Sequence, residues 1–163
     1  MNIEIVYPEK KYFKSFRETL DAVAKERIYI EQIEAPPIEK VVEFQSELIS
    51  CNGPVYYALN DDRVVGWCDI FAKDNPRQSH RGELGMGLVS EFRGQGLGSK
   101  LLSTTLDHAK SYGLEKVELA VYTTNLSAIS LYKKFGFEQE GLIQKYRKLD
   151  DQYFDCLVMG KFL

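Results

Sequence analysis

The segment from Arg81 to Tyr112 constrains the fold more than any other part of the chain. It runs from a strand-like stretch, "RGELGMGLV", through a loop with glycines on alternate positions, "RGQGLG", into an amphipathic stretch. That stretch predicts a helix over about 97–112 that stops at Gly113, a suitable C-terminal cap. Because "KVELAVY" at 116–122 has the pattern of the next strand, the helix predicts a crossover between two parallel strands.

The remaining elements surround this crossover. Periodicity and stop signals predict further helices over 12–25, from Pro36 and Pro37 onward, and between Asn125 and Gly136. Strands are predicted at 2–7, 55–59, 63–71 and 81–89, and on both sides of a turn at Asp150 and Asp151. The order predicts an α/β (α+β) fold with a mixed central sheet of about seven strands, antiparallel with one central parallel pair, flanked by about four helices.

Length and composition narrow the class of protein. With 163 residues, the chain is expected to form a single domain over residues 1–163. The 21 Lys and Arg against 24 Asp and Glu form no basic block, which argues against a nucleic-acid partner. No signal-peptide core or long apolar run is present, so a cytoplasmic protein without membrane contact is expected. Cys51, Cys68 and Cys156 lack metal-ligand spacing, so neither a disulfide nor a metal site is expected.

The glycine loop is an anion site in principle. Free backbone N–H groups and the helix dipole both favour an anion at the start of a helix. A P-loop requires GxxxxGK[ST], whereas Gly98 is followed by Ser99 and Lys100. A dinucleotide loop requires GxGxxG, which the GxGxG spacing of Gly94, Gly96 and Gly98 matches poorly. The spacing therefore disfavours a nucleotide-binding protein.

The strand before the loop carries two glycines on one face. Gly85 and Gly87 alternate with Leu84, Met86 and Leu88, so one face of this strand has no side chains over that stretch. A bare face predicts that a ligand chain can approach the backbone there.

Two motifs together resemble the GCN5-related N-acetyltransferases, the GNAT family. The pattern [QR]-x-x-G-x-[GA] is met by Arg93, Gly96 and Gly98. About thirty residues later, "NLSAISLYKKFGF" is similar to the family's N-x-x-A-x-x-x-Y-x-x-x-G-F, with the matching residues Asn125, Ala128, Tyr132, Gly136 and Phe137. The specific resemblance covers about residues 80–140.

The resemblance implies an acetyl-CoA-dependent N-acetyltransferase, an acyltransferase of the EC 2.3.1 type. Direct transfer to a primary amine is implied, the acceptor being a small amine, an amino acid or a protein N-terminus, in a protein that can form a homodimer. The alternative is a non-catalytic CoA-binding or regulatory module. The implied coenzyme-binding residues are Met86, Gly87, Leu88, Val89, Arg93, Gly94, Gln95, Gly96, Leu97, Gly98, Ser99, Asn125 and Tyr132.

The same resemblance implies the acid but not the base. Tyr132 is implied as the general acid that protonates the departing thiolate. Many relatives carry a glutamate where this chain has Ala120. Glu83, Glu118 or a chain of ordered waters therefore remain as bases that could deprotonate the amine.

Three carboxylates are candidates for the acceptor groove. In this family the groove is walled by the first two helices, their connecting loop and the terminal hairpin. Glu31 and Glu34 lie in that loop, and Asp69 lies on a strand that leads into the centre. Carboxylates at these positions would suit a cationic amine.

Overall fold

The computed structural model describes residues 2–163 and contains one seven-stranded sheet with four α-helices in this range. The strands are β1 (Ile3–Val6), β2 (Val55–Asn60), β3 (Arg63–Ala72), β4 (Arg81–Leu88), β5 (Lys116–Tyr122), β6 (Glu138–Leu149) and β7 (Gln152–Phe162). The helices are α1 (Phe13–Lys25), α2 (Ile38–Ser50), α3 (Leu97–Tyr112) and α4 (Leu126–Lys134).

The strands lie in the order β1-β2-β3-β4-β5-β7-β6. Every neighbouring pair is antiparallel except β4 and β5, which are parallel and joined through α3. The predicted mixed sheet with one central parallel pair and four flanking helices is confirmed.

Helices cover both faces of the sheet, and each face has its own apolar core. On one face α1 and α2 pack against β2 and β3 through Phe16, Val41, Tyr57 and Trp67. On the other face α3 and α4 pack against the centre of the sheet. Residues 64–70 of β3 are buried without interruption because this strand is covered on both sides. No helix within residues 2–163 combines the length and the apolar character needed to cross a bilayer.

Two helix ends predicted from the sequence, the stop of α3 at Gly113 and the start of α4 at Asn125, hold those roles. Gly96 precedes α3 with φ +79°, and Gly113 ends it with φ +104°, both in the left-handed region that favours glycine. The Asn125 side chain accepts a hydrogen bond from the Ala128 amide at 3.3 Å and caps α4.

The parallel pair at the centre is joined over only part of its length. Arg81, Gly82 and Glu83 pair with residues 116–118, and no later residue of β4 pairs with β5. We call the paired stretches 81–83 and 116–118 the closed half. The diverging stretches, 84–88 and 119–122, are the open half, and the space between them is a cleft at the centre of the sheet.

The two glycines of β4 make room for side chains of β3. A Cβ atom on Gly87 would lie 2.4 Å from the indole ring of Trp67, and one on Gly85 would lie 3.2 Å from Oδ1 of Asp69. The prediction that this bare face lets a ligand chain approach is therefore wrong at Gly87, because Trp67 fills the space. The approach to β4 is along its open edge instead.

Candidate active site

The open half of β4 presents unpaired backbone groups to the cleft. The Arg81 carbonyl accepts from the Lys73 amide, and the Val89 amide donates to the Val65 carbonyl, each at 3.0 Å. Because antiparallel pairing uses alternate residues, these two bonds direct the odd-numbered residues of β4 toward β3. The amides of Met86 and Leu88 therefore point to the opposite edge, where β5 has diverged. An edge of this kind can accept an extended chain as an added strand.

A cavity of about 670 Å³ occupies the open half. Its walls come from β4, β5, the glycine loop, α4, the loop after α1 and the β6–β7 hairpin. The sequence-predicted coenzyme residues that line it are Met86, Gly87, Leu88, Arg93, Gly94, Gly96, Gly98, Ser99, Asn125 and Tyr132. The structure thus brings together residues from β4, the glycine loop and α4.

Three predicted coenzyme residues lie outside this lining. Val89 and Leu97 are buried in the core beneath the loop. Gln95 is exposed, and its side-chain amide donates to the Glu91 carbonyl at 2.9 Å. The side chains of Val89 and Leu97 anchor the loop from below.

The glycine loop leaves open space at the start of α3. A Cβ atom on Gly94 or Gly96 would meet no atom within 4 Å, and both residues have positive φ. Among the described residues, no side chain caps α3, and the first amide bonded back to Gly96 is that of Lys100. The amides of residues 97–99 are thus the free N–H groups of a helix start. Free amides and a positive dipole end fit an anion such as a pyrophosphate.

The Arg93 side chain ties the glycine loop to the end of α1. Its guanidinium donates to both carboxylate oxygens of Glu26, at 2.8 and 2.6 Å, and to the Leu88 carbonyl at 2.9 Å. It also lies 4.5 Å from the ring centre of Tyr29. Hydrogen bonding to Glu26 raises the pKa of Arg93. Because the Arg93 guanidinium is already bonded to Glu26, the backbone of Arg93 is better placed than its side chain to contact a ligand.

Tyr132 reaches the cavity from α4. Its side chain is buried, yet the hydroxyl forms no hydrogen bond with any residue from 2 to 163 and has access to open space. Burial raises the pKa of Tyr132, so its phenol stays protonated across the neutral range. An unengaged hydroxyl that keeps its proton is suited to donate to a group bound in the cavity.

Glu118 and Glu83, the two glutamates predicted as bases, occupy different places. Glu118 lies in the closed half, where it bonds Arg81 at 2.7 Å and Lys116 at 3.2 Å, and it does not line the cavity. Burial would raise the pKa of Glu118, but the hydrogen bonds from Arg81 and Lys116 outweigh it and lower that pKa. Glu83 does line the cavity, and it is paired with Lys73.

The three carboxylates predicted for the acceptor groove also lie in different places. Glu31 lines the cavity, whereas Glu34 is exposed and lies outside the lining. Asp69 is buried and lines an adjoining cavity of about 380 Å³ beneath α1 and α2. Nowhere in residues 2–163 do three His, Cys, Asp or Glu side chains gather as a metal site would require.

Arg147 was not among the residues predicted from the sequence, yet it holds two walls of the cavity together. From β6 its guanidinium donates to the carbonyls of Arg27 and Glu31, at 2.9 and 3.2 Å. It also lies 5.3 Å from the ring centres of both Tyr122 and Phe154. The contact joins the loop after α1 to the terminal hairpin. No local pattern marks Arg147, because its partners are about 120 residues away along the chain.

Comparison with known proteins gives the family. The sequence model of the Acetyltransferase (GNAT) family matches residues 17–137. The L-amino acid N-acetyltransferase AaaT of Escherichia coli is 32% identical over 64% of this chain and 65% of its own length. N-alpha-acetyltransferase 30 of Schizosaccharomyces pombe is 33% identical over 56% of this chain and 61% of its own length. The match thus spans less than two thirds of each of these relatives.

Solved structures share the fold over nearly the whole chain. A GNAT-family acetyltransferase from Streptococcus pneumoniae superposes with a TM-score of 0.93 at 25% identity, over 99% of this chain and all of that one. The yncA protein of Salmonella typhimurium, solved with its cofactor acetyl-CoA, superposes with a TM-score of 0.92 at 17% identity, over 99% and 94% of the two chains. The chain belongs to the GNAT acetyltransferase family.

Proposed function

We propose that this protein is an acetyl-CoA-dependent N-acetyltransferase that moves an acetyl group directly to a primary amine. The observation that carries the proposal is the coincidence, in one cavity, of an unpaired strand edge, an uncapped helix start and an unengaged tyrosine hydroxyl. Each suits a different part of an acyl-CoA thioester. Family membership and the E. coli and S. pombe relatives support the same reaction.

The open half would hold the donor along its length. The amides of residues 97–99 and the glycines before them would bind the pyrophosphate. The edge amides of Met86 and Leu88 would pair with the pantetheine arm, and one of them would polarise the thioester carbonyl. The Asn125 side chain, beside the same cavity, would add a hydrogen bond to the coenzyme.

Tyr132 would serve the end of the reaction. Its hydroxyl would donate to the thiolate sulfur that leaves when the amide bond forms. The buried environment keeps the phenol protonated, so the proton is in place when the thiolate appears.

The acceptor is proposed as a small amine, an amino acid or a protein N-terminus. The named activities of the two relatives, on an L-amino acid and on an N-alpha amine, support this range. The loop after α1 and the β6–β7 hairpin would form the acceptor side of the cavity, with Glu31 near the entering amine. A single domain, a cytoplasmic location and a homodimer stay predictions from the sequence.

A non-catalytic coenzyme-binding module is the second candidate. The observation that favours it is Ala120, which lines the cavity where many relatives carry a glutamate. The retained Tyr132 favours the enzyme.

Two measurements test the proposal. Thermal unfolding should shift upward with acetyl-CoA and CoA but not with ATP or NAD, and stabilisation by ATP or NAD alone would contradict it. Thiol release should then be followed with L-amino acids, 2-phenylethylamine and a tetrapeptide with a free N-terminus. Stabilisation by acetyl-CoA without release for any amine would favour the binding module.

A further inference from the structure

We propose that Asp69 is the proton acceptor of the reaction, taking a proton from the ammonium group of the acceptor where the two cavities meet. This inference rests on the proposed function. It assigns the role of general base to a residue other than Glu83 on β4 and Glu118 on β5.

The position of Asp69 is set by its pairing across β3 and β4. Asp69 is the register partner of Gly85, and its Oδ1 approaches the place where a side chain on Gly85 would begin. The second cavity, which Asp69 lines, shares Phe71, Gly85 and Met86 with the main cavity. The carboxylate therefore lies beside the stretch of β4 that would bind the acetyl end of the donor.

Asp69 is a buried carboxylate with no partner among residues 2–163. Only 6% of its surface is exposed, and it forms neither a hydrogen bond nor an ion pair with any described residue. Its oxygens nevertheless reach open space, since no polar side-chain atom among residues 2–163 is both buried and unsatisfied. A buried carboxylate is costly without a partner, so a site that retains one is expected to supply that partner from a ligand.

The neighbouring glutamates already have cationic partners. Glu83, on the same face of β4, is paired with Lys73, and Glu118 is paired with Arg81 and Lys116. The cationic partners of Glu118 lower its pKa, so it binds a proton less readily. The Glu83 carboxylate is already in contact with the Lys73 ammonium, whereas Asp69 meets no cation among the described residues and is the carboxylate best placed to meet the ammonium group of an amine.

The groups that face Asp69 leave it free to act at neutral pH. Toward it, α1 presents only the apolar Phe16 and Leu20. From α2, Lys40 stands at the rim in an exposed pair with Glu43, and Gln45 accepts from the Tyr57 hydroxyl of β2 at 2.6 Å. The charge of Asp69 acts on two titratable groups, the Tyr57 hydroxyl and the Cys68 thiol, and both are neutral because burial raises their pKa values.

The pKa of Asp69 matches this task. Burial raises it to about 7. A base with a pKa near the working pH is ionised in part and still binds a proton firmly enough to keep it.

The proton balance is complete with groups already named. The acceptor enters as R–NH3⁺ and gives one proton to the Asp69 carboxylate. The neutral nitrogen then bonds to the thioester carbonyl carbon, and the carbon–sulfur bond breaks with its electrons on sulfur. Tyr132 gives its hydroxyl proton to that sulfur, and the second proton lost by the nitrogen restores the Tyr132 hydroxyl. Asp69 afterwards releases its proton to solvent, so the products are the N-acetyl amine, the free thiol and one H⁺.

The test measures kcat/KM for the best amine of the panel between pH 5.5 and 9, with the pH-dependent supply of free amine measured separately. Asp69→Asn should lower kcat/KM at pH 7 by about 100-fold or more, within the range for a lost general base. The wild-type profile should contain a limb with an apparent pKa near 7 that the variant lacks, while acetyl-CoA affinity changes by less than about twofold. Asp107→Asn, on the exposed side of α3, is the matched control.

Several results would overturn the proposal. One is an unchanged profile in Asp69→Asn, and another is a raised KM with kcat and pH profile intact, which would leave Asp69 only as a binding group. A larger loss in Glu83→Gln than in Asp69→Asn would assign the proton to Glu83. If the Asn variant does not fold, the carboxyl ¹³C resonance of Asp69 can be followed in the wild type instead. If that resonance does not change when amine is added to saturation, Asp69 is not the proton acceptor. A wild type that releases no thiol with any amine would instead refute the proposed function itself.

Discussion

The closed and open halves of the β4–β5 pair differ in what satisfies their polar groups. In the closed half, ladder bonds join the strands, and Arg81, Lys116, Glu118 and Glu140 form a connected set of ion pairs. In the open half the strand edge is unpaired, and the carboxylate beside it, Asp69, has no partner within the described part of the chain. The protein therefore satisfies its own polar groups at one end of the pair and leaves them for ligands at the other.

This contrast separates stability from chemistry along a single pair of strands. Unpaired backbone and an unneutralised buried carboxylate cost folding free energy, which the rest of the fold must offset. Removing a polar side-chain group beside the open half should therefore impair binding or catalysis without lowering the unfolding temperature, whereas removing one from the closed half should lower that temperature without impairing catalysis. The four substitutions below test that division.

The largest effect is expected from Tyr132→Phe, on α4 beside the cavity of the open half. Loss of the hydroxyl removes the proton donor to the leaving thiolate, so kcat should fall by about 100-fold. Because that hydroxyl bonds no described residue, Tm should stay within a few degrees. Steady-state kinetics and thermal unfolding measure the two quantities. Wild-type kcat in the variant would remove Tyr132 from the mechanism.

Gly96→Asp should weaken acetyl-CoA binding by roughly 10- to 100-fold, because it adds a negative charge where the pyrophosphate would lie. The structure itself has room for the side chain, since no atom lies within 4 Å of its Cβ position. Gly113→Asp is the matched control: it also has positive φ and open space, but it lies at the other end of α3. Calorimetric titration distinguishes the two. Equal loss of affinity in both variants would mean that backbone strain, and not charge at the loop, is responsible.

Asp69→Asn should stabilise the fold at alkaline pH. The folded pKa of Asp69, about 7, lies above its ordinary value of 3.8. Between these pH values the unfolded chain ionises and the folded chain does not, so this carboxyl costs increasing stability as pH rises and its full cost above pH 7. The Tm of the variant should exceed that of the wild type by several degrees at pH 8, and the difference should shrink toward pH 4.

The exposed Asp107→Asn should show no such trend. A Tm difference for Asp69→Asn that is the same at pH 4 and pH 8 would show that Asp69 is ionised in the fold as readily as in the unfolded chain.

The smallest effect is expected from Glu118→Gln in the closed half. The variant breaks the partly buried ion pairs of Glu118 with Arg81 and Lys116, so Tm should fall by about 3 °C near pH 7 while kcat stays the same. The folded pKa of Glu118 is lowered, so its contribution is present above the unfolded pKa and is lost as pH falls through the folded one. The gap from wild type should thus close in acid. The exposed Glu138→Gln serves as control, and a loss of kcat in Glu118→Gln without loss of Tm would contradict the division.

Local signals made the elements predictable. Glycines with positive φ lie at both ends of α3, and the residues between them have apolar side chains at helical spacing. The helix therefore begins and ends where the sequence predicts. The same holds for β5 at 116–122 and for α4 behind its Asn125 cap. The glycine loop and the tyrosine on α4 could be found because their motifs are short and contiguous.

What could not be predicted depends on contacts between distant segments. Nothing local indicates that Glu26 binds Arg93, or that Trp67 fills the space over Gly87. In the sequence, Glu83, Glu118 and Asp69 are each a single acidic residue in a strand pattern, and nothing distinguishes them. They differ in whether a cationic side chain lies beside them, which depends on the register of the strands across the sheet.

Amide exchange along β4, followed by NMR, tests the central claim most directly. Gly85 and Gly87 point to β3, so their amides should exchange slowly with or without ligand. Met86 and Leu88 point into the cleft, so their amides should exchange fast in the free protein and slow by about tenfold or more with saturating acetyl-CoA. Fast exchange at Met86 and Leu88 in the saturated protein would contradict the account, because the donor would then not lie along the open half.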